Sequence, residues 1–282
     1  MSMPGYARPA RLDDALKVLA RGNPTILAGG TDYYPAHVGT PLSEDILDIS
    51  AIRGLRGISE GADHWRIGAT TTWTDLIEAE LPPLFDGLKL AAREIGGVQI
   101  QNRGTVAGNL CNASPAADGI PPLLALDAHV EVARSDAASR RIALEQFVVG
   151  SRRTALRQGE LATAVIVPKP KRNARTHFLK LGTRKYLVIS IVMVAATVEH
   201  EGGRVRAARV AVGACSPVAR RLPELEAALV GERLDAALGA KALASHLKPL
   251  TPIGDVRASC EYRSEAALTL VRRTLDQLGA IP

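Results

Sequence analysis

The stretch that decides the fold of the first half of the chain reads Ile26-Leu27-Ala28-Gly29-Gly30-Thr31-Asp32-Tyr33. Its apolar start predicts a short buried strand, and the glycine pair predicts a tight turn with exposed backbone N–H groups. Because glycine has no Cβ, several N–H groups can converge on a phosphate there, and Thr31 can add a hydroxyl. The stretch therefore predicts an anion-binding turn, and an ordinary turn between a strand and a helix is the alternative. A valine at Gly30 is expected to hinder a phosphate while sparing stability.

A second stretch of small and polar residues follows later in the chain. It reads Thr105-Val106-Ala107-Gly108-Asn109-Leu110-Cys111-Asn112-Ala113-Ser114-Pro115-Ala116-Ala117-Asp118. The apolar, helix-like run 122–126 comes soon after it. This pattern predicts a polar loop held against a hydrophobic core, and loops of that kind commonly carry function.

The composition is that of a globular protein with more than one domain. The chain has 282 residues, of which 46% are hydrophobic, which suits two or three domains with substantial cores. The net charge is +6, but the basic residues are spread along the chain and few aromatic residues accompany them. This distribution argues against nucleic-acid binding and suits an anionic dinucleotide or an acidic partner.

The cysteine and histidine patterns predict no metal site in this chain. The three cysteines are far apart and the six histidines are scattered singly, so neither zinc nor iron–sulfur ligand spacing is present. The longest apolar run, 187–198, is shorter than the roughly 20 residues that a spanning helix requires. Residues 1–11 also lack the apolar core of a signal peptide. We therefore expect a cytoplasmic protein without a membrane span.

Together, the two stretches resemble the FAD-binding subunits of the molybdenum hydroxylases, a family that includes the medium chain of carbon monoxide dehydrogenase and the flavin domain of xanthine dehydrogenase. The family motifs read roughly Ala-Gly-Gly-Thr-Asp and Thr-x-Gly-Gly-Asn-x-x-x-Ala-x-Pro-x-x-Asp. Ala107 replaces a glycine of the second motif, which matters only if that position needs a positive φ or touches the cofactor.

The resemblance extends into the carboxy-terminal part of the chain. Phe178-Leu179-Lys180 followed by Arg184-Lys185 is similar to the segment that opens the family's last domain. Residues 255–263, Asp-Val-Arg-Ala-Ser-Cys-Glu-Tyr-Arg, are similar to its closing signature. Val188 stands where many relatives have an acidic residue, which leaves the surroundings of the flavin and the external electron acceptor open.

The resemblance implies FAD as the cofactor and assigns residues to it. Thr105 to Asn109 would contact the phosphates and the ring, Asp118 a sugar or ribityl hydroxyl, and Lys180 the neighbourhood of the flavin. From the residues alone, Asp118 could instead cap a helix, and Lys180 could be an exposed strand lysine. The implied cofactor-binding residues are Ile26, Leu27, Ala28, Gly29, Gly30, Thr31, Asp32, Tyr33, Ile95, Thr105, Val106, Ala107, Gly108, Asn109, Asp118, Ala162 and Lys180.

The expected fold class is α+β. Residues 1–170 are expected to form a two-part α/β FAD-binding domain similar to the PCMH or vanillyl-alcohol-oxidase type, with subdomains of about 1–55 and 56–170. An α+β domain of the molybdenum hydroxylase flavoprotein type, with an antiparallel sheet covered on one face, is expected at 175–282, after a linker at 168–173. Within it the pattern predicts a hairpin that turns at Gly202-Gly203, and amphipathic helices near 217–230, 233–247 and 264–278.

The function implied by the resemblance is electron transfer rather than side-chain catalysis. No catalytic nucleophile or general acid is evident, and the dinucleotide fingerprint Gly-x-Gly-x-x-Gly is missing, which predicts FAD binding of a non-Rossmann kind. The implied partners are an iron–sulfur subunit and a large molybdopterin-containing subunit, in a dimer of heterotrimers. The alternatives are a free-standing FAD-dependent oxidase or dehydrogenase of the vanillyl-alcohol-oxidase type, and an adaptor with a degenerate flavin site.

Overall fold

The computed structural model describes residues 5–41 and 43–281. Residues 1–4, Leu42 and Pro282 lie outside this description, and with them the start of the segment in which no signal peptide is predicted. In the part of the chain that is described, no helix is long and apolar enough to cross a membrane.

The amino-terminal part is a small parallel sheet in the strand order β1-β3-β2. Its strands and helices are β1 (Tyr6–Ala7), α1 (Leu12–Arg21), β2 (Thr25–Leu27), α2 (Tyr33–Ala36) and β3 (Ile46–Asp48). The apolar period of α1 buries Ala15, Leu16 and Leu19 against Leu47 of the central strand. This packing places α1 against the sheet, next to the strand β2 that leads into the glycine turn.

The central part is a five-stranded antiparallel sheet in the order β4-β5-β10-β6-β7, with helices and a small second sheet around it. Its strands and helices are β4 (Ile58–Glu60), β5 (His64–Gly68), α3 (Trp73–Glu78), α4 (Asp86–Glu94), α5 (Val98–Gln101), α6 (Val106–Asn112), α7 (Ile120–Ala125), β6 (His129–Arg134), β7 (Ala137–Ala143), α8 (Leu144–Phe147), β8 (Val148–Gly150), β9 (Arg153–Thr154) and β10 (Leu161–Pro168). Strand β10 lies in the middle and is buried along almost its whole length, which explains its continuous apolar run.

The carboxy-terminal part is a four-stranded antiparallel sheet in the order β11-β12-β13-β14. Its strands and helices are β11 (Asn173–Leu181), β12 (Val192–Glu201), β13 (Arg204–Gly213), β14 (Arg220–Arg221), α9 (Pro223–Leu229) and α10 (Cys260–Ala280). The β12–β13 hairpin is confirmed, and its turn residues Gly202 and Gly203 have φ of 58° and 69°, which glycine adopts without strain. The α+β class with an antiparallel sheet in this part is also confirmed.

Both faces of this last sheet are covered, so the expectation of one open face is wrong. One face packs against α10, with Val194 and Val198 in the same cluster as Leu275. The other face packs against α4 and α7 of the central part, where Phe178 and Met193 meet Ala91. Strand β12 is therefore buried on both sides, and the two parts of the chain share an apolar interface.

Three predicted stretches of secondary structure differ from the structure for local reasons. The helix predicted at 217–230 begins only at Pro223, because Arg220 and Arg221 pair with β13. The helix predicted at 264–278 begins four residues earlier, because the side chain of Ser259 accepts a hydrogen bond from the backbone N–H of Tyr262 and caps it. The helix predicted at 233–247 is wrong, since two short 3-10 turns, Leu238–Lys241 and Ala244–Leu247, replace it.

Candidate functional site

A cleft of about 490 Å³ lies between the glycine turn and helix α6. Its volume is within the range of small-molecule and cofactor sites. One wall comes from the parallel sheet and the other from the central part, so residues of two sheets and their helices form it. The residues that line it are Ile26, Leu27, Ala28, Gly29, Gly30, Thr31, Asp32, Tyr33, Ile49, Ala69, Trp73, Ile95, Ile100, Gly104, Thr105, Ala107, Gly108, Asn109, Cys111, Asn112, Leu156, Leu161 and Ala162.

The glycine turn is packed directly against the backbone of the opposite wall. A Cβ placed on Gly29 would lie 2.0 Å from the carbonyl oxygen of Arg103 and 3.0 Å from the Cα of Gly104. Glycine is therefore required at position 29 for the two walls to meet, whatever the cleft binds. This packing sets the glycine turn against the two residues that lead into the second stretch.

Gly30 is required for a different reason, which is its backbone conformation. Its φ is +72°, and a Cβ there would lie 2.6 Å from the ring of Tyr34. Any other residue would be strained at this φ. The expectation that valine at position 30 would spare stability is therefore wrong, since the substitution would disturb the turn itself.

The turn, which lines the cleft, has backbone donors without a partner among the described residues. Among residues 5–41 and 43–281, no acceptor meets the backbone N–H of Gly29, Gly30 or Thr31, whereas the carbonyl of Gly30 accepts from the N–H of Tyr34 at 3.0 Å. Consecutive free N–H groups form a concave site for an anion. Binding of an anion at this turn stays a prediction, and the turn has the free N–H groups that it needs.

The second stretch is not the continuous loop that was expected, because helix α6 occupies its first half. The Thr105 side chain caps this helix by accepting from the N–H of Gly108 at 3.0 Å. Ala107 lies within α6 and is buried, so its position has an ordinary helical φ and tolerates the methyl group that replaces the family's glycine.

One polar atom of α6 is available to a ligand. The Oδ1 atom of Asn109 is buried, and it has no hydrogen-bond partner in the described part of the chain. Asn109 lines the cleft, and a buried polar atom without a partner costs free energy unless a ligand or water satisfies it. Asn109 is therefore a candidate contact to a polar ligand.

Mostly apolar residues form the rest of the cleft lining, and the sequence did not predict most of them. Among the missed residues, Trp73 begins α3 and is fully buried, and Leu161 begins β10. The predicted Ile95 and Ala162 lie in the cleft with them. The missed lining residues are Ile49, Ala69, Trp73, Ile100, Gly104, Cys111, Asn112, Leu156 and Leu161. They share no sequence pattern, since they are scattered over strands, helices and loops and have the residue types of an ordinary core.

Cys111 is the cysteine that lines the cleft. Desolvation raises the pKa of its thiol to about 12. The side chain is therefore a neutral thiol at neutral pH and not a nucleophilic thiolate.

Three predicted site residues lie outside the cleft lining: Val106, Asp118 and Lys180. The side chain of Val106 is fully buried in the core, and its N–H donates to the carbonyl of Thr71 at 3.0 Å. Val106 thus packs in the core behind the cleft wall formed by α6. Contacts of these three residues with a cofactor stay predictions.

Asp118 and Lys180 form a buried ion pair with each other. Lys180 Nζ lies 2.6 Å from Asp118 Oδ2, and the side chains are only 5% and 8% exposed. Ser190 Oγ donates to the other carboxylate oxygen at 2.5 Å, and Lys180 also donates to the carbonyl of Glu94 at 3.2 Å. Burial raises the pKa of Asp118, while the Lys180 ammonium and the Ser190 hydroxyl oppose that rise.

This pair rules out both simple alternatives for its members. Asp118 is not a helix cap, because Gly119 precedes α7 and no side chain caps that helix. Lys180 is not an exposed strand lysine, since its ammonium is buried. The pair joins α7 to β11 and reaches Glu94, the residue before the cleft residue Ile95.

The cleft fits a dinucleotide with a flat ring system. Free N–H groups at the turn suit a pyrophosphate, Asn109 offers a polar contact, and the apolar wall suits an aromatic ring. In the part of the chain that is described, no group of histidine, cysteine or carboxylate side chains could hold a metal ion.

Comparison with known proteins matches two regions of the chain to family models. Residues 2–170 match the family model of the FAD binding domain in molybdopterin dehydrogenase. Residues 177–278 match the CO dehydrogenase flavoprotein C-terminal domain. The xanthine dehydrogenase FAD-binding subunit of Escherichia coli O157:H7 is 31% identical over 281 residues, which cover 98% of this chain and 96% of that protein.

Solved structures share the fold over almost the whole length. A chain of carbon monoxide dehydrogenase from Hydrogenophaga pseudoflava, in a form that lacks the Mo-pyranopterin moiety, superposes with a TM-score of 0.87 at 26% identity, covering 98% of this chain and 97% of its own. A chain of quinoline 2-oxidoreductase from Pseudomonas putida 86 has a TM-score of 0.86 at 27% identity, covering 99% and 98%. The chain therefore belongs to the molybdenum hydroxylase family, as one of its FAD-binding medium subunits.

Proposed function

We propose that this oxidoreductase subunit binds FAD in the cleft between the glycine turn and α6, and carries electrons from molybdenum and iron–sulfur partner subunits to an external acceptor. The observation that carries the proposal is the meeting of the two motifs: the turn, whose N–H groups have no partner among the described residues, and helix α6 line the same cleft. Bound FAD would supply the redox chemistry, since a flavin can accept an electron pair and pass it on.

The residues of this chain would bind and orient the cofactor. The N–H groups of Gly29, Gly30 and Thr31 would hold the pyrophosphate, because backbone donors neutralise an anion without the entropy cost of ordering long side chains. Asn109 would contact a polar group of the cofactor. Ile95, Trp73 and Leu161 would exclude water from the apolar region of the cleft.

We propose that substrate oxidation and the iron–sulfur relay belong to partner subunits in the cytoplasm, in a dimer of heterotrimers. In keeping with this proposal, no group of side chains that could hold a metal ion is found at 5–41 or 43–281. We propose that the chain contributes an FAD-binding domain over 1–170, in two subdomains of about 1–55 and 56–170, and a second domain over 175–282.

Binding of FAD by the isolated chain is the first test of this function. We expect a saturable titration in which bound flavin quenches the fluorescence of the buried Trp73. FAD should bind at least about tenfold more tightly than riboflavin, because riboflavin lacks the pyrophosphate that the turn would hold with charge-assisted hydrogen bonds. Isothermal titration on protein shown to be folded by circular dichroism measures both affinities. Equal affinity for the two flavins would reject the turn as a pyrophosphate site.

The second test separates a subunit from a free-standing enzyme. The isolated chain should contain no molybdenum or iron, and it should pass electrons from reduced flavin to artificial acceptors without hydroxylating an aldehyde or an N-heterocycle. Material purified from the native source should contain both metals and larger chains. Metal analysis and substrate turnover on the two preparations distinguish a subunit from a free-standing enzyme. Hydroxylation by the metal-free chain, or a native monomer, would favour a free-standing enzyme of the vanillyl-alcohol-oxidase type.

A further inference from the structure

Arg152 bridges the two walls of the cleft from outside its lining. It lies in the turn between β8 and β9, and its Nη1 atom donates to Asp32 Oδ2 at 2.7 Å and also to Asn112 Oδ1. Asp32 follows the glycine turn and Asn112 ends α6, and both line the cleft. One guanidinium therefore joins the wall of the parallel sheet to the wall of the central part.

The backbone of Arg152 is fixed in a conformation that does not favour arginine. Its φ is +57°, and its N–H donates to the carbonyl of Ala113 at 2.9 Å. Ala113 ends α6 with a φ of +49°. Both residues lie in the left-handed region, where glycine would be unstrained. The Arg152 side chain thus makes its contacts from a position whose backbone conformation favours glycine over arginine.

The ion pair between Arg152 and Asp32 is exposed to solvent, which limits the free energy that it contributes. The side chains of Arg152 and Asp32 are 54% and 56% exposed, and an exposed ion pair adds little to global stability. The same pair can still act on ligand release, because it spans the two walls between which the ligand would lie.

We propose that Arg152 is a positioning residue that latches the two walls of the cleft together through Asp32 and Asn112, and so slows the release of the dinucleotide cofactor. This inference rests on the proposed function, since the cofactor that it retains is the FAD assigned there. The Arg152 latch, made of Arg152, Asp32 and Asn112, acts on the residence time of FAD and not on its redox chemistry.

The test is the rate of FAD dissociation from the full reconstituted chain, followed by the recovery of flavin fluorescence after dilution. R152G should release FAD about fivefold faster, the most that an exposed ion pair of this kind supports. Its melting temperature should equal or exceed that of the wild type, because glycine suits the φ of this position. R152K should release FAD at an intermediate rate, since lysine keeps the charge but lacks the planar fork of arginine.

The neighbouring Arg153 provides the matched control. It is exposed in β9 and has no ion pair within the described residues, so R153A should leave the rate of release unchanged. D32N should reproduce the effect of R152G. The double variant D32N/R152G should release FAD no faster than either single variant, because both remove the same bridge.

Each outcome supports or overturns the latch. Additive effects of D32N and R152G would show that the two residues act on release separately, and would overturn a latch that acts through Asp32. An unchanged rate in R152G, in a chain whose wild type binds FAD, would overturn the latch and leave the proposed function standing. A wild type that binds no FAD would instead refute the proposed function. If R152G does not fold, D32N alone carries the test.

Discussion

Alanine at position 29 is expected to abolish FAD binding and to lower the stability of the chain by about 3 kcal/mol, the upper part of the range for overpacked interiors. The new Cβ would lie 2.0 Å from the carbonyl oxygen of Arg103 and 2.7 Å from its carbon. Both atoms belong to the backbone, so no side-chain rotation can relieve the clash. The glycine turn and the stretch that leads into α6 must then move apart, and the donors that face the cleft move with them.

A matched control for this substitution exists in the same part of the chain. Gly54 has no heavy atom within 4 Å of its would-be Cβ and no positive φ, so Gly54→Ala should leave both properties unchanged or slightly raise stability. Urea unfolding and FAD titration of both variants measure the effects. Wild-type affinity in Gly29→Ala would show that the cleft tolerates separation of its walls, and the cradle assignment would then fail.

Replacing Lys180 by methionine is expected to cost about 3–5 kcal/mol, the range for breaking a buried ion pair by removing one partner. The variant would leave the Asp118 carboxylate buried, with the Ser190 hydroxyl but without its cation. Lys171 is exposed, so Lys171→Met is the matched control and should be neutral. The double variant Asp118→Asn with Lys180→Met should recover part of the loss, because a neutral amide can still accept from Ser190.

The loss should depend on pH in a definite direction. Without Lys180, burial raises the pKa of Asp118 further above the value of about 3.9 that an unfolded aspartate has. A group whose pKa is higher in the folded state favours folding below its unfolded pKa, and that contribution disappears as pH rises through the folded pKa. The stability deficit of Lys180→Met should therefore be smallest near pH 4 and grow toward pH 7. Denaturant unfolding at the two pH values measures it, and a deficit that is constant over this interval would mean that water reaches Asp118 when Lys180 is absent.

Local interactions explain why some of the fold could be read from the sequence. Helix α1 follows from an apolar period, and the β12–β13 hairpin follows from two glycines that favour a positive φ. The glycine turn is equally local, because Gly29, Gly30 and Thr31 are consecutive in the chain. Resemblance to a known family supplied the cofactor, which these patterns alone would not have named.

The predictions that were wrong concern segments whose structure depends on contacts with residues distant in the sequence. The pattern at 233–247 favoured a helix, but Gly239 donates to Asp276 of α10 at 2.7 Å, and its would-be Cβ would lie 2.2 Å from the carbonyl of Arg272. This close approach of α10 replaces the expected helix by short turns. Likewise, the second face of the last sheet is covered by helices that lie some hundred residues earlier in the chain.

The sequence by itself determined the local features: a glycine turn, a second motif of small and polar residues, and the absence of metal-binding spacing. Only the tertiary structure decided how the segments combine. Asp118 pairs with Lys180 across 62 positions of sequence, and Arg152 reaches Asp32 across 120. The physical reason is that a charged or polar side chain is assigned a role by its partner, and partners that are distant in sequence leave no periodic or local signal.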